Sequence, residues 1–266
     1  WVWGPDGWLG ARGALDFAGG TVVHLSSGAA ALICALVIGR RSRPGPPHNL
    51  TLTLLGAGML WFGWFGFNAG SALAANDNAA LALVNTHLAA GAAAFAWALA
   101  EWIKQGKPTA LGVASGLVAG LVVITPAAGF VGPMSAVLMG LIAGPVCYGA
   151  VMLKGKLGYD DALDAFGIHG VGGALGAVLT GVFAAAAWGG TDGLIAGNND
   201  LFVENIIGVI AAASYSAIVT VVLLKVIDAT VGLRVSGDEE NEGLDTNLHG
   251  EEGYHMGGAG ALSGSE

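Results

Sequence analysis

Two histidines are the residues best placed to do chemistry, because each lies inside a long apolar stretch. His24 follows the residues DFAGGTVV, and His169 follows DALDAFGI. A neutral imidazole ring has one donor nitrogen and one acceptor nitrogen. Two adjacent rings can therefore share a hydrogen bond and still offer polar atoms to a small uncharged solute. The alternative is that each histidine is a hydrogen-bonded packing residue.

The sequences around the two histidines form a weak internal repeat. Gly28 and Gly173 each lie four residues after a histidine and are followed by small apolar residues. In transporters, repeats commonly bring corresponding helices together around a site near the middle of the membrane. We therefore predict that the rings of His24 and His169 face each other.

Acidic residues precede both histidines, and the repeat pairs Asp16 with Asp164. A carboxylate at the start of a helix accepts hydrogen bonds from free backbone N–H groups and complements the helix dipole. We expect this structural role for both residues. Of the other histidines, His87 is expected to pack in the core or in a vestibule. His48 lies in a proline-rich loop, where a solvated or bracing role is the default.

The two cysteines give no sign of a metal site. Cys34 and Cys147 lie in apolar stretches without metal-ligand spacing. Cysteine in such surroundings usually behaves as a small packing residue. We predict neither a metal nor a cofactor for this chain.

The composition indicates a membrane protein. The chain has 266 residues, of which 54% are hydrophobic and 11% are charged, whereas soluble domains carry about 25% charged residues. A membrane helix needs about 20 mostly apolar residues. Seven segments meet this criterion: residues 17–39, 50–75, 79–102, 109–131, 133–153, 165–188 and 205–224. The sequence thus predicts an all-α polytopic membrane protein with seven transmembrane helices, surrounded by a lipid bilayer and without a nucleic-acid partner.

The basic residues predict the orientation of these helices. Nine of the ten Lys and Arg residues follow the first, third, fifth or seventh segment, and Arg12 is the exception. Basic residues tend to stay on the cytoplasmic side, so the chain should begin outside the cell and end inside.

The chain divides into two parts by charge. Eight of the 19 acidic residues lie at or after Asp238, in a stretch without Lys or Arg. We therefore predict a transmembrane domain over residues 1–234 and an acidic cytoplasmic tail over residues 235–266. By composition alone, this tail is typical of a solvated, disordered segment.

Glycines at four-residue spacing predict close contacts between helices, because small residues let membrane helices approach each other. Three pairs have this spacing: Gly116 with Gly120, Gly140 with Gly144, and Gly172 with Gly176.

Four motifs in the chain resemble the signature segments of the Amt/Mep/Rh ammonium transporter family. They are DFAGGTVVH at residues 16–24, GWFGFNAGSA at residues 63–72, FGIHGVGG at residues 166–173 and GLRVSGDEENEGLDTNLHGEEGY at residues 232–254. The resemblance implies a pseudo-symmetric fold of eleven helices, of which this chain would supply the fifth to the eleventh. The chain opens at Trp1 in what reads as a loop, so we expect an N-terminal part to be missing.

The resemblance assigns roles to particular residues. It makes His24 and His169 the twin pore histidines and Phe67 one of two phenylalanines that gate the pore. Trp3 and Ser71 would form part of an external site that recruits ammonium, although Trp1 and Trp8 compete with Trp3 for this role.

The resemblance also implies a mechanism and partners. Asp16 matches an acidic residue near the recruitment site that is considered structural. Ammonium would be recruited outside, lose its proton and pass the pore as ammonia, with the proton transferred through the histidines. A homotrimer in the plasma membrane is implied, with a PII-type signalling protein acting at the cytoplasmic face.

Two other functions fit the same residues. A membrane sensor could bind ammonium and signal through its tail without conducting it. Two intramembrane histidines on separate helices could also ligate haem in a redox protein.

Overall fold

Helices make up the framework of the protein, as the sequence predicts. The structure is a computed structural model that describes residues 1–253, and no β-strand occurs in that range. The main helices are α1 (Gly20–Ile38), α2 (Leu50–Gly70), α3 (Asp77–Gln105), α4 (Ala110–Ile124), α5 (Pro133–Leu157), α6 (Phe166–Phe183) and α7 (Asn199–Thr230). A short helix, α8 (Gly237–Glu242), follows. The end of the predicted tail, residues 254–266, lies outside the described residues.

Six of these helices are long and apolar enough to cross a membrane, judged by length and composition. Their outer faces carry large apolar side chains, such as Phe62 at 79% exposure and Ile103 at 73%. A soluble monomer rarely exposes apolar surface on this scale. The helices therefore support a multi-pass membrane protein.

The segment predicted as the fourth span differs from the others. The helix α4 has only 15 residues, and the chain turns just before Pro126. The backbone of Ala128 and Val131 is nevertheless fully buried, and the Asn85 amide donates to both of their carbonyl oxygens at 2.8 Å. Backbone without helical hydrogen bonds is tolerated at membrane depth where the protein satisfies its polar groups. The predicted helix of residues 109–131 is thus too long, and turns replace its second part.

Local sequence signals set most helix boundaries. Side-chain oxygens accept hydrogen bonds from N–H groups three residues later and so cap α2, α3, α4 and α7; the capping residues are Asn49, Asn76, Thr109 and Asn198. Proline occupies the first position of α5, where its missing N–H has no helical partner in any case. Glycines with positive φ angles end α1, α3 and α5, namely Gly39, Gly106 and Gly158.

The glycine pairs pack α3 between α4 and α5. A Cβ atom at Gly120 would collide with the carbonyl oxygen of Ala89, and one at Gly144 would lie 2.6 Å from the backbone nitrogen of Trp97. Only glycine lets the helix backbones come this close. The prediction of close contacts from glycine spacing is confirmed.

The start of the acidic tail is folded against the loop between α1 and α2. The Arg234 guanidinium donates to the carbonyl oxygen of Arg40 at 2.6 Å and to the Glu240 carboxylate at 2.7 Å. The same carboxylate accepts a hydrogen bond from the backbone N–H of Ser42 at 2.7 Å. These bonds, the Ser42 N–H first, lower the pKa of Glu240. Residues 237–249 form helical turns. The expectation of a disordered tail, which rests on composition alone, is therefore wrong for this part of the tail.

Candidate functional site

The rings of His24 and His169 meet, although 145 positions separate them in the sequence. Their Nδ1 atoms lie 3.2 Å apart, and the ring planes make an angle of 40°. A hydrogen bond between two Nδ1 atoms requires one ring to donate and the other to accept. The two rings must therefore be in opposite tautomers, so that one Nε2 carries a proton and the other a lone pair.

Each histidine lies in a π-helical turn at the start of its helix. For His24 this turn is Gly20–Leu25, and for His169 it is Phe166–Gly170. Such turns are rare and are frequent at functional sites. The internal repeat seen in the sequence therefore corresponds to a local structure that is repeated in α1 and α6.

Asp16 fixes the first of these turns. Its carboxylate is buried and accepts hydrogen bonds from the backbone N–H groups of Gly19 at 2.9 Å, Gly20 at 2.6 Å and Thr21 at 2.8 Å. The Thr21 hydroxyl donates to it as well. Asp16 has the contacts of a helix cap, as expected.

Asp161, not Asp164, caps the second turn. Its carboxylate accepts from the N–H groups of Ala165 at 3.1 Å and Phe166 at 2.8 Å. Asp164 instead forms an ion pair with Lys154, and burial raises the pKa of its carboxyl group. The expected capping role of Asp164 is therefore wrong. Equal spacing is the signal that identifies the right residue, because Asp16 and Asp161 each precede a histidine by eight positions.

The repeated glycines bring the two turns together. A Cβ atom at Gly28 would collide with the backbone of Gly170, and a Cβ at Gly173 would lie 2.6 Å from the carbonyl oxygen of Gly20 and 3.1 Å from the Cβ of His24. Each glycine thus makes room for the turn of the other histidine. The contact is reciprocal, as in a pair of elements related by a two-fold axis.

Aromatic side chains of α2 cover His24 on another side. The Trp64 ring stacks on the imidazole with centroids 5.1 Å apart and planes at 18°, and Phe67 lies 5.9 Å away. The Trp64 Nε1–H donates to the hydroxyl of Thr125 at 2.9 Å, which in turn donates to the carbonyl oxygen of Leu121 at 2.8 Å. Sequence reasoning missed Trp64 and Thr125. The signal that could have identified Trp64 is its position in the middle of a span, one helical turn before Phe67.

The residues expected at the recruitment site lie around the same end of the bundle. The Trp3 Nε1–H donates to the backbone oxygen of Asp16 at 2.7 Å, and 57% of the Trp3 surface is exposed. The Ser71 hydroxyl donates to the backbone oxygen of Phe67 at 2.8 Å. No hydrogen bond joins Trp3 to Ser71 within residues 1–253.

The competing tryptophans have other contacts. Trp1 packs on Tyr215 of α7 with ring centroids 4.9 Å apart, and Trp8 lies under the Arg12 guanidinium. Of the three residues, Trp3 is the one whose ring donates a hydrogen bond to Asp16. His87 stacks on Trp61 with centroids 5.1 Å apart, but it is exposed, so it does not pack in the core.

The site combines polar nitrogen atoms with apolar walls. His24 is 4% exposed, and its Nε2 atom is buried without a hydrogen-bond partner among the described residues. A buried polar atom without a partner is costly, so this nitrogen is suited to meet a small solute that can form hydrogen bonds.

The distance between the rings argues against haem. Two axial imidazoles must lie on opposite sides of the iron, and with metal–nitrogen bonds of about 2 Å their ligating nitrogens would be about 4 Å apart across the porphyrin plane. Here two nitrogens are in direct contact at 3.2 Å. No flat macrocycle fits between rings in this arrangement.

Both the sequence and the fold of the chain are similar to those of known proteins. A sequence model of the Ammonium Transporter Family matches residues 1–254. An ammonium transporter of Aquifex aeolicus (strain VF5) is 58% identical over 258 residues, which are 96% of this chain and 60% of that protein. The crystal structure of Saccharomyces cerevisiae Mep2 superimposes with a TM-score of 0.84 at 41% identity, over 90% of this chain and 57% of Mep2.

A solved structure described as a sensor Amt protein is also similar. Its TM-score is 0.86 at 33% identity, over 93% of this chain and 64% of that protein. The present chain thus spans about three fifths of the length of the curated relatives that it matches.

Proposed function

Because the chain belongs to the ammonium transporter family, we propose that the complete protein conducts ammonium across the plasma membrane through a pore lined by His24, His169 and Phe67. The observation that carries this proposal is the contact of 3.2 Å between the two imidazoles. It places uncharged polar atoms beside the apolar rings of Trp64 and Phe67.

Recruitment is the first step of the proposed mechanism. The exposed face of Trp3 attracts a cation through its ring electrons, a contact worth about 0.5–2 kcal/mol. The oxygen of the Ser71 hydroxyl can accept a hydrogen bond from ammonium while its hydrogen is donated to Phe67. Asp16 supports this site indirectly, because its backbone oxygen holds the Trp3 ring.

Selectivity follows from the loss of a proton. A potassium ion keeps its charge, and two imidazoles with aromatic walls offer no carboxylate or carbonyl cage to replace its water shell. Ammonium can release a proton and pass Phe67 as neutral ammonia. The Nε2 atom of His24, which has no protein partner among the described residues, then accepts or donates a hydrogen bond with the solute.

The paired rings also provide a route for the released proton. If His24 donates from Nδ1, its Nε2 can take up a proton while the Nδ1 proton moves to His169 and the Nε2 proton of His169 leaves. Each ring gains one proton and loses one, so both remain neutral and exchange tautomers. Transport in this scheme moves one positive charge per ammonia.

The proposed assembly is a homotrimer in the plasma membrane with the tail in the cytoplasm. Basic residues at the ends of α3 and α5 support this orientation. A PII-type signalling protein would act at the cytoplasmic face, where the folded start of the tail meets the loop between α1 and α2.

Currents in proteoliposomes test this function. In the complete protein we expect His24→Ala and His169→Ala to abolish ammonium currents or to change the selectivity against potassium, with little effect on folding. His87→Ala is the matched control, because His87 is a third histidine within a span and its ring packs on Trp61. Ammonium currents that are equal in all four proteins would refute the proposed pore.

A sensor is the second candidate, because one similar structure is described as a sensor Amt protein. A sensor would bind ammonium without conducting it. Ammonium binding by calorimetry, measured beside the currents, separates the two functions: binding without current supports the sensor, and binding with current supports the transporter.

A further inference from the structure

An asparagine near the start of α7 joins three parts of the molecule. Asn205 is 2% exposed. Its Oδ1 atom accepts a hydrogen bond from the backbone N–H of Leu15 at 2.9 Å, and its Nδ2 atom donates to the Leu15 carbonyl oxygen at 3.3 Å. The same nitrogen donates to the carbonyl oxygen of Ala177 on α6 at 2.7 Å. One side chain of α7 therefore holds both the loop before α1 and the helix α6.

The pairing of the Asn205 amide with Leu15 fixes an orientation as well as a position. The side chain meets the donor and the acceptor of the same residue, as a paired residue does in an antiparallel sheet. A single hydrogen bond would leave the Leu15 backbone free to turn about that bond. Within residues 1–253, the backbone of Leu15 forms no other hydrogen bond. The placement of Leu15 thus depends on Asn205.

Leu15 is the residue before Asp16, and two features of the proposed pore depend on Asp16. Its backbone oxygen accepts the hydrogen bond of the Trp3 ring, and its carboxylate caps the turn that carries His24. The carboxylate is held by several N–H groups of that turn. The backbone oxygen, in contrast, lies wherever the adjoining backbone places it.

The backbone on the other side of Asp16 is fixed in a different way. The N–H of Phe17 donates to the carbonyl oxygen of Pro126 at 3.0 Å. This bond joins two backbone groups, so no substitution of a side chain removes it directly. The tie at Leu15 depends on the side chain of Asn205 and can be removed by mutation.

We propose that Asn205 is a positioning residue for ammonium recruitment. By holding Leu15, it sets where the carbonyl oxygen of Asp16 places the ring of Trp3. This role rests on the proposed function, because it requires Trp3 to recruit ammonium. Asn205 forms no hydrogen bond with either histidine of the pair. Its loss should therefore raise the ammonium concentration that gives a half-maximal current and leave the maximal current nearly unchanged.

The substitution Asn205→Leu tests this role in the complete protein. Leucine is similar in size to asparagine but forms no hydrogen bond with its side chain. In proteoliposomes we expect the half-maximal ammonium concentration to rise about fivefold, within the range that the loss of a cation–π contact allows.

Ser216→Ala is the matched control. Ser216 also lies on α7, and its hydroxyl donates to the backbone oxygen of Ser26 on α1 at 2.6 Å. Its substitution loosens α7 against α1 but leaves Leu15 untouched, so the half-maximal concentration should stay at the wild-type value. An equal rise in Ser216→Ala and Asn205→Leu would overturn the proposal, because any loosening of α7 would then have the same effect.

A double-mutant cycle with Trp3→Leu shows whether Asn205 acts through Trp3. When Trp3 is absent, Asn205→Leu should cause no further rise in the half-maximal concentration. The same fold-change in both backgrounds would overturn the proposal. If Trp3→Leu alone has no effect, recruitment by Trp3 fails and the positioning role fails with it. If Trp3→Leu raises the value and Asn205→Leu does not, only the positioning role fails.

Asn205→Ala keeps the test decisive if leucine at this position prevents folding. Alanine leaves a space that water can enter, and water can form hydrogen bonds with Leu15 and Ala177 without holding them in one orientation. We expect the half-maximal concentration to rise about threefold in this variant. A folded Asn205→Ala protein with the wild-type value would overturn the proposal.

Discussion

Gly173 lies directly against His24. A methyl group at position 173 would be 3.1 Å from the Cβ atom of His24 and 2.7 Å from the backbone nitrogen of Leu25. Since backbone atoms cannot give way as a flexible side chain can, this glycine sets the distance between the two π-helical turns. The separation of the imidazoles thus depends on a residue that has no functional group.

The first prediction concerns this contact. We expect Gly173→Ala to destabilise the complete protein by about 1–3 kcal/mol, the usual cost of overpacking, and to reduce ammonium conduction by separating the rings. Thermal unfolding and proteoliposome currents measure the two effects. Gly91→Ala serves as the control, because a methyl group at Gly91 meets only open space. Equal currents for Gly173→Ala and Gly91→Ala would show that the close approach is not needed.

The second prediction distinguishes the two acidic residues before His169. Asp161→Ala removes two hydrogen bonds to backbone N–H groups and should cost about 0.5–2 kcal/mol, as the loss of a helix cap does. It should also lower conduction, because the capped turn carries His169. The measurement is the unfolding temperature together with the current.

Asp164→Asn is the comparison for Asp161→Ala. Asparagine tolerates the positive φ of 56° at this position. The substitution removes only an ion pair whose side chains are 24% and 29% exposed, worth about 0–1 kcal/mol. A larger loss of stability and current in Asp164→Asn than in Asp161→Ala would contradict the assignment of the cap.

The third prediction concerns the support of Trp64. Thr125→Val keeps the side-chain shape but leaves the Trp64 N–H without its acceptor, at a cost of about 1–3 kcal/mol for a buried donor. The stacked imidazole of His24 should then be held less firmly, so we expect a change in the pH dependence of the current. Thr125→Ser restores the hydroxyl and should restore the wild-type profile. Identical profiles in all three proteins would limit Thr125 to helix packing.

The fourth prediction concerns pH at the cytoplasmic end. The hydrogen bond from the Arg41 guanidinium holds the pKa of Asp160 at about 2, below its ordinary value of 3.8. Since the pKa is lowered in the folded state, the contact stabilises the protein fully above about pH 4, and this contribution is lost as the pH falls toward 2. The contribution should be small, because solvent screens the exposed partner Arg41.

Chemical unfolding of the wild type and of Asp160→Asn between pH 2 and pH 7 checks this effect. The difference in stability between the two proteins should shrink as the pH falls below about 4 and be mostly lost near pH 2. A difference that stays constant over this range would mean that Asp160 contributes through packing and not through charge.

The sequence by itself determined which segments are helical and where most of them begin, whereas six of the seven predicted ends differ from the observed ends by three to seven residues. Apolar length, capping residues such as Asn49 and terminal glycines such as Gly106 act within a few positions along the chain, so they can be read locally. The spacing of glycines likewise predicted the close contacts of α3 with α4 and α5. The repeated motif around His24 and His169 identified the two residues that the structure brings together.

Only the tertiary structure decided how that pair is supported. Trp64 lies on α2 and stacks on His24 of α1. The hydroxyl that accepts the Trp64 hydrogen bond belongs to Thr125, 61 positions further along the chain. The choice of Asp161 over Asp164 depends on which carboxylate faces the backbone and which faces Lys154. After the early end of α4, the carbonyl groups of Ala128 and Val131 lie inside the protein, and the amide of the distant Asn85 donates a hydrogen bond to each. These contacts join residues that are far apart in sequence, and local patterns carry no information about which distant side chain supplies a hydrogen bond.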